Sequence, residues 1–189
     1  IKRGECWLFP NTFPLAGHHV AATLCRAHFL DVHEFSAGMV ADGMMAARDF
    51  LTLVHRSDPE SRYGIFLWNH LPPSAASMVH PHVQVLVDAR PTSYQETLLE
   101  AGRQYHSRTG RNFWKDLVDE ERQRGERYIG ENGSVAALAS FAPQGNREVQ
   151  IIFKGTSNLM DLRDGEIGGF ADCVVRLLKI YKGMGVNSF

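Results

Sequence analysis

Two histidines and a glutamine alternate with apolar residues at His80-Pro81-His82-Val83-Gln84, inside a run, residues 66–87, that holds no Asp, Glu, Lys or Arg. A spacing of two places His80, His82 and Gln84 on one face of an extended strand. Polar groups on a hydrophobic strand are costly unless each has a partner, so the triplet reads as a site rather than as decoration. Neutral imidazole is both a nucleophile and a metal ligand. Attack by a ring nitrogen on phosphorus divides a displacement into two steps through a covalent nucleotidyl intermediate. Such chemistry needs hydrogen-bond donors for the non-bridging oxygens, and Gln84 and Ser77 are the nearest candidates.

The elements that must position this triplet follow from periodicity. Residues 83–87 and 64–68 read as buried strands joined by the loop 69–79, with Val83, Val85, Leu86 and Val87 expected on the buried side. Short strands are expected at 6–9 and 20–24, separated by a turn-rich stretch, 10–17. Between them and the histidine strand, Met39, Val40, Met44, Ala47, Phe50, Leu51 and Val54 recur at helical spacing over 36–55, with Ser36 as the cap. Further on, Ser93 and Glu96 have the spacing of a capping box for a helix reaching about residue 107. A charged helix is expected over 112–127, solvated on its 115–127 face, then strands at 135–141 and 148–153 and a helix over 166–182 ending at Gly183.

Two passages echo one another. Phe13-Pro14, a strand, Phe29-Leu30-Asp31-Val32 and a long helix are matched by Ala142-Pro143, a strand, Leu159-Met160-Asp161-Leu162 and a long helix. The expected fold is α+β, a tandem of two units at 1–91 and 92–189, each an antiparallel sheet covered by a helix. With 189 residues, 44% hydrophobic and 22% charged, the chain has enough apolar material for such cores.

A formal net charge of -1, with basic residues scattered, excludes a dedicated nucleic-acid surface. The uncharged run is interrupted by Asn69, two adjacent prolines, three histidines and Gln84, so it is not a membrane span. The chain starts at Ile1 without a signal-peptide pattern, and its three cysteines, Cys6, Cys25 and Cys173, are odd in number and far apart, which suggests a reducing, cytoplasmic setting. His18 and His19 are neighbours that point to opposite faces of a strand, and solvation is the expected fate of both.

The spacing of Asn69, Ser77, His80, Pro81, His82 and Gln84, ungapped over sixteen residues, resembles the active-site segment of the galactose-1-phosphate uridylyltransferase family, a branch of the histidine-triad superfamily. Phe9-Pro10-Asn11-Thr12-Phe13-Pro14, Ala27-His28-Phe29-Leu30-Asp31 and the C-terminal Gly185-Val186-Asn187-Ser188-Phe189 are similar to it as well. The resemblance implies tandem histidine-triad-like units. It further implies that His82 is the nucleophile, that Gln84 and Ser77 hold the phosphoryl oxygens, that Asn69 supports the loop or touches phosphate, and that Asn11 lies against the nucleoside.

The family also carries structural zinc on two cysteines and two histidines. The histidines fall here on His28 and His80, whereas the chain has no Cys-x-x-Cys pair and Cys25 is the thiol nearest to His28. The implied activity is ping-pong nucleotidyl transfer between a nucleotide sugar and a sugar 1-phosphate, in galactose metabolism, by a cytoplasmic homodimer. Residues 71–76 read Leu-Pro-Pro-Ser-Ala-Ala where the family favours glycine, a stiffer backbone that would change how closely the chain approaches a phosphate. Residues 144–148 and 153–155 depart from the family's sugar-recognising segment, so galactose itself is not implied. The alternatives are a nucleotide-sugar or dinucleoside-polyphosphate phosphorylase or hydrolase, and a non-catalytic nucleotide-binding member.

Overall fold

Strand pairing is dictated by the valines that follow His82. In the computed structural model, which describes residues 1–189, β5 (His82–Asp88) sits between β3 (His18–Thr23) and β4 (Tyr63–Leu67). Beyond β3 the sheet continues with β2 (Cys6–Pro10) and β1 (Lys2–Arg3), and every pairing is antiparallel. Val83, Val85 and Val87 are sealed on one face with Cys6, Leu8, Val20 and Ala22, packed against Ala46, Ala47, Leu51 and Val54 of α1 (Ala37–Ser57). Each valine or leucine among them contributes roughly 1.5–3 kcal/mol by leaving water. The two-residue period then forces His82, Gln84 and Leu86 onto the opposite face, so Leu86, expected among the buried valines, lies half-buried on the polar side.

Helix α1 starts where expected, with the Ser36 hydroxyl accepting the Met39 N–H, and stops at Asp58. It packs closely on Leu24, the residue after β3, because Gly43 has no Cβ, which would stand 2.7 Å from Leu24 Cδ2. Helix α4 (Asp164–Gly183) packs along α1 through Val40, Ala171 and Val175. Arg48 of α1 ties down its start by donating to the Leu162 carbonyl at 2.6 Å and pairing with Asp164 at 2.7 Å. Past α4 the chain turns at Gly185, whose φ of +80° is the left-handed conformation expected instead at Gly183, itself the last helical residue. The last residue then pairs with the loop before β5: His70 N–H donates to Phe189 O at 2.6 Å and Phe189 N–H to His70 O at 3.3 Å.

The chain forms two compact units, Ile1–Arg90 with Asn158–Phe189, and Pro91–Ser157. In the second, α2 (Ser93–Thr109) and α3 (Phe113–Arg124) precede a three-stranded antiparallel sheet of β6 (Tyr128–Glu131), β7 (Val135–Ala139) and β8 (Val149–Phe153). The capping box of α2 is Thr92 with Gln95, one residue before the Ser93 and Glu96 pair expected. Helix α3 is not wholly solvated. Val118 packs on Ala136 and Leu138, and buried Glu121 accepts from Arg127 Nε at 2.7 Å.

The order of three antiparallel strands followed by a long helix occurs twice, as β1–β2–β3–α1 and β6–β7–β8–α4. The helix that follows the second set of strands nevertheless belongs to the first unit. A division into 1–91 and 92–189 is therefore corrected: apolar residues of α4 bury against α1, and the sheet of the second unit packs against α3.

His70 is 2% exposed, with the rings of Phe35 and Phe189 against it. Burial pushes its imidazole below the usual range, opposed by its bond to the Leu30 carbonyl. The unfolded chain therefore binds a proton at this ring, near pH about 6.5, that the folded chain refuses. Its contribution to stability is complete above that pH and is lost as pH falls toward the folded value. Chemical denaturation at pH about 7.5 and about 5.5 should show a loss of stability in the parent that is smaller in His70→Gln, and equal losses would refute this.

Candidate active site

Gln84 stands directly across from Ala21 on one side and Leu67 on the other, and His82 across from Thr23. His82 and Gln84 of β5 therefore look over the small side chains Thr23 and Ala21 of β3. His82 is 4% exposed, and its Nδ1 lies 2.9 Å from the carbonyl oxygen of His80. A carbonyl only accepts, so in the neutral ring Nδ1 carries the proton and Nε2 presents its lone pair. The backbone just before the strand thus selects the tautomer that leaves the Nε2 lone pair free.

Gln84 is gripped at its oxygen. His19 Nε2 is 2.8 Å from Gln84 Oε1, and Asn11 Nδ2 donates to the same oxygen at 3.3 Å. Asn11 is held by an Asx turn in which its Oδ1 accepts the Phe13 N–H at 2.9 Å. The expected nucleoside residue Asn11 and the phosphate-side residue Gln84 are thus brought together. His19, expected in solvent, is 6% exposed and belongs to the same group. Parity did place His18 on the other side, where its Nε2 lies 2.9 Å from Asp58. That histidine and the Ser61 hydroxyl hold the Asp58 carboxyl below its usual range. His19 gave no local signal, because its partner is 65 positions away and only the β3–β5 register joins them.

The loop 69–79 departs from the expectation of a stiffer backbone. Leu71 (φ +69°, ψ 156°) and Ala75 (φ +64°, ψ 19°) both adopt positive φ, around a short 3-10 turn at Pro72–Ser74. The Leu71 conformation is one that glycine almost alone adopts, so this segment keeps a glycine-like course with side chains that strain it. Ser77 is exposed on this loop and Asn69 is half-buried at its start. Neither is joined to His82 or Gln84 in the way Asn11 is.

His28 and His80 do meet, with Nδ1 atoms 3.3 Å apart and rings nearly perpendicular. His80 Nε2–H donates to the Cys25 carbonyl at 2.9 Å, so its Nδ1 is the acceptor and His28 supplies the proton between them. Cys25 contributes that carbonyl, while its thiol points to Ala27 O at 3.7 Å and burial pushes the thiol up, away from the thiolate a metal requires. Two imidazole nitrogens are half of a tetrahedral set, and no third His, Cys, Asp or Glu joins them. These residues alone do not fit a structural zinc ion. As an ordinary hydrogen-bonded pair they are unequal. His80→Ala should cost about 1–3 kcal/mol by leaving the buried Cys25 carbonyl unpaired, whereas His28→Ala, at an exposed ring, should stay within about 0.5 kcal/mol. Urea unfolding of the two variants checks this.

No family model matches the sequence. A protein of undescribed function from Archaeoglobus fulgidus is 30% identical over all 189 residues of this chain, which spans 56% of that relative's length. Among solved structures, a mutant uridylyltransferase superposes with a TM-score of 0.82 at 17% identity, covering 91% of this chain and 63% of its own. A GalT-like protein from Arabidopsis thaliana gives 0.82 at 18% identity, covering 94% and 62%. An ADP-glucose phosphorylase from the same plant, with bound ADP-glucose, gives 0.79 at 15% identity, covering 97% and 63%. The chain thus spans under two thirds of each. No helix is long and apolar enough to cross a membrane.

Proposed function

From a chain that has the α+β fold of GalT-like, histidine-triad-type proteins, we propose a nucleotidyltransferase working through His82, with a nucleotide sugar as donor and a sugar 1-phosphate as acceptor. The observation that carries this reading is the 2.9 Å bond from His82 Nδ1–H to the His80 carbonyl, which leaves Nε2 as the free base. In the first half-reaction that lone pair attacks the α-phosphorus. A P–N bond forms, and the bond from the α-phosphorus to the oxygen bridging the two phosphates breaks. The sugar 1-phosphate leaves with that oxygen and its electron pair. The ring, still holding its Nδ1 proton, becomes a cationic nucleotidyl-imidazolium whose charge faces the His80 carbonyl. In the second half-reaction a phosphate oxygen of the incoming sugar 1-phosphate attacks the α-phosphorus, and the P–N electrons return to Nε2.

Gln84 lies two residues along the same face, about 7 Å by strand rise, within reach of the non-bridging oxygens. Ser77 and Asn69 are assigned to the same phosphates when the loop meets a ligand, and Asn11 to the nucleoside. Zinc held by His28 and His80 would need ligands beyond those two, and no step depends on it.

A second reading, a nucleotide-sugar phosphorylase in which inorganic phosphate takes the place of the acceptor, has comparable fold-level support: the ADP-glucose phosphorylase superposes over 97% of this chain with a TM-score of 0.79, against 91% and 0.82 for the uridylyltransferase. Both share the first half-reaction. Intact mass after incubation with UDP-glucose, UDP-galactose, ADP-glucose or a dinucleoside polyphosphate should reveal an acid-labile nucleoside monophosphate adduct. His82→Ala should lack it and turn over more slowly by on the order of 10^4-fold or more. Discharge of the adduct by glucose 1-phosphate, galactose 1-phosphate or inorganic phosphate then separates transferase from phosphorylase. An adduct that survives in His82→Ala, or none with any donor, overturns the proposal.

A further inference from the structure

We propose that His19 is a positioning residue: it sets the direction of the Gln84 carboxamide, so that the N–H2 group and not the oxygen is presented to a phosphoryl group on His82. This rests on the assignment of His82 and Gln84 above.

A carboxamide can face a site with either end, and only one end helps a phosphoryl transfer. An N–H donor stabilises charge gathering on the non-bridging oxygens, whereas a carbonyl oxygen repels it. Nothing in Gln84 itself chooses. The choice is made by two backbone N–H groups, which cannot reverse their polarity. Leu15 N–H donates to His19 Nδ1 at 3.0 Å, so the His19 proton sits on Nε2, and Nε2–H donates to Gln84 Oε1 at 2.8 Å. Phe13 N–H donates to Asn11 Oδ1 at 2.9 Å, so Asn11 presents its own N–H2 to the same Gln84 oxygen at 3.3 Å.

Turning the Gln84 amide over would set its N–H2 against two donors at once. Both lone pairs of Oε1 are therefore committed, and the amide nitrogen is left for a ligand. His19 Nε2 and Asn11 Nδ2, 3.2 Å apart, are both donors and do not bond one another; each directs its N–H to the shared Gln84 oxygen. A leucine or valine at position 19 would fill a site that is 6% exposed equally well, so packing does not account for a ring with both nitrogens engaged. The residues that impose the polarity, Asn11, Phe13 and Leu15, all lie in the turn after β2. That turn therefore aims the donor without touching the phosphate.

The test is a double-mutant cycle on the rate of adduct formation, with UDP-glucose and ADP-glucose as donors at saturating concentration. His19→Leu frees the amide to turn over and should slow adduct formation about 10- to 100-fold with little change in half-saturating concentration, less than the 10^2- to 10^3-fold expected when a donor is deleted. His19→Gln, whose terminal nitrogen reaches about as far as Nε2, should recover most of the rate. In a Gln84→Leu background, adding His19→Leu should change the rate less than about twofold, because there is no amide left to aim.

Rates that multiply in the double variant, or a His19→Gln no better than His19→Leu, overturn the inference while leaving His82 as nucleophile. If the parent forms no adduct, the nucleophile assignment fails, and the inference is judged by 15N NMR of the histidine rings. A proton on Nε2 of His19, together with restrained Gln84 amide protons that begin to exchange in His19→Leu, supports the lock. A proton on Nδ1 of His19 overturns it.

Discussion

The two-residue period of β5 is the constraint on which the rest of the molecule depends. Val83, Val85 and Val87 must be covered, and α1 covers them. That packing leaves His82, Gln84 and Leu86 no choice of face, since a slip of one residue would bury two polar groups against α1 and expose three valines. The site is thus held by the same apolar burial that holds the domain.

Around that strand, backbone groups act as the reference points for side-chain polarity. The His80 carbonyl fixes the tautomer of His82, the Cys25 carbonyl that of His80, and the Leu15 N–H that of His19. A backbone group has one polarity and one place, so each ring inherits a defined direction without a carboxylate nearby. This suits the proposed nucleotide site, because the charge-free run, residues 66–87, brings no acid to compete with a phosphate. The positive φ of Leu71 and Ala75 points the same way: the loop keeps a course suited to close backbone approach although its residues resist it.

Much of the fold is legible in local pattern. Helix α1 and its Ser36 cap, the histidine strand and its partner β4 follow from 3.6- and 2-residue periods with little ambiguity. Short elements are less legible. β1 spans two residues and β6 four, too few for a period to show, and both exist because an adjoining strand offers them hydrogen bonds. The helix-covered tandem misplaced α4, since an amphipathic stripe states that a helix must bury one side but not against which partner. The same reason makes 115–127 look like a solvated face, although Val118 and Glu121 lie inside.

The sequence by itself determined which side chains share the face of β5, because strand parity is a local, steric property of the backbone. It therefore named His82 and Gln84, whereas His80, read onto the same face, precedes β5 and turns to His28 and the Cys25 carbonyl; the family resemblance added Asn11 and His28 as companions. Only the tertiary structure decided that His19 joins Gln84, that the donor half of that amide is left free, and that His28 and His80 form a pair with no third ligand beside it. Those facts depend on strand register and on chain returning from tens of residues away, and no local spacing encodes which atom of one strand will face which atom of another.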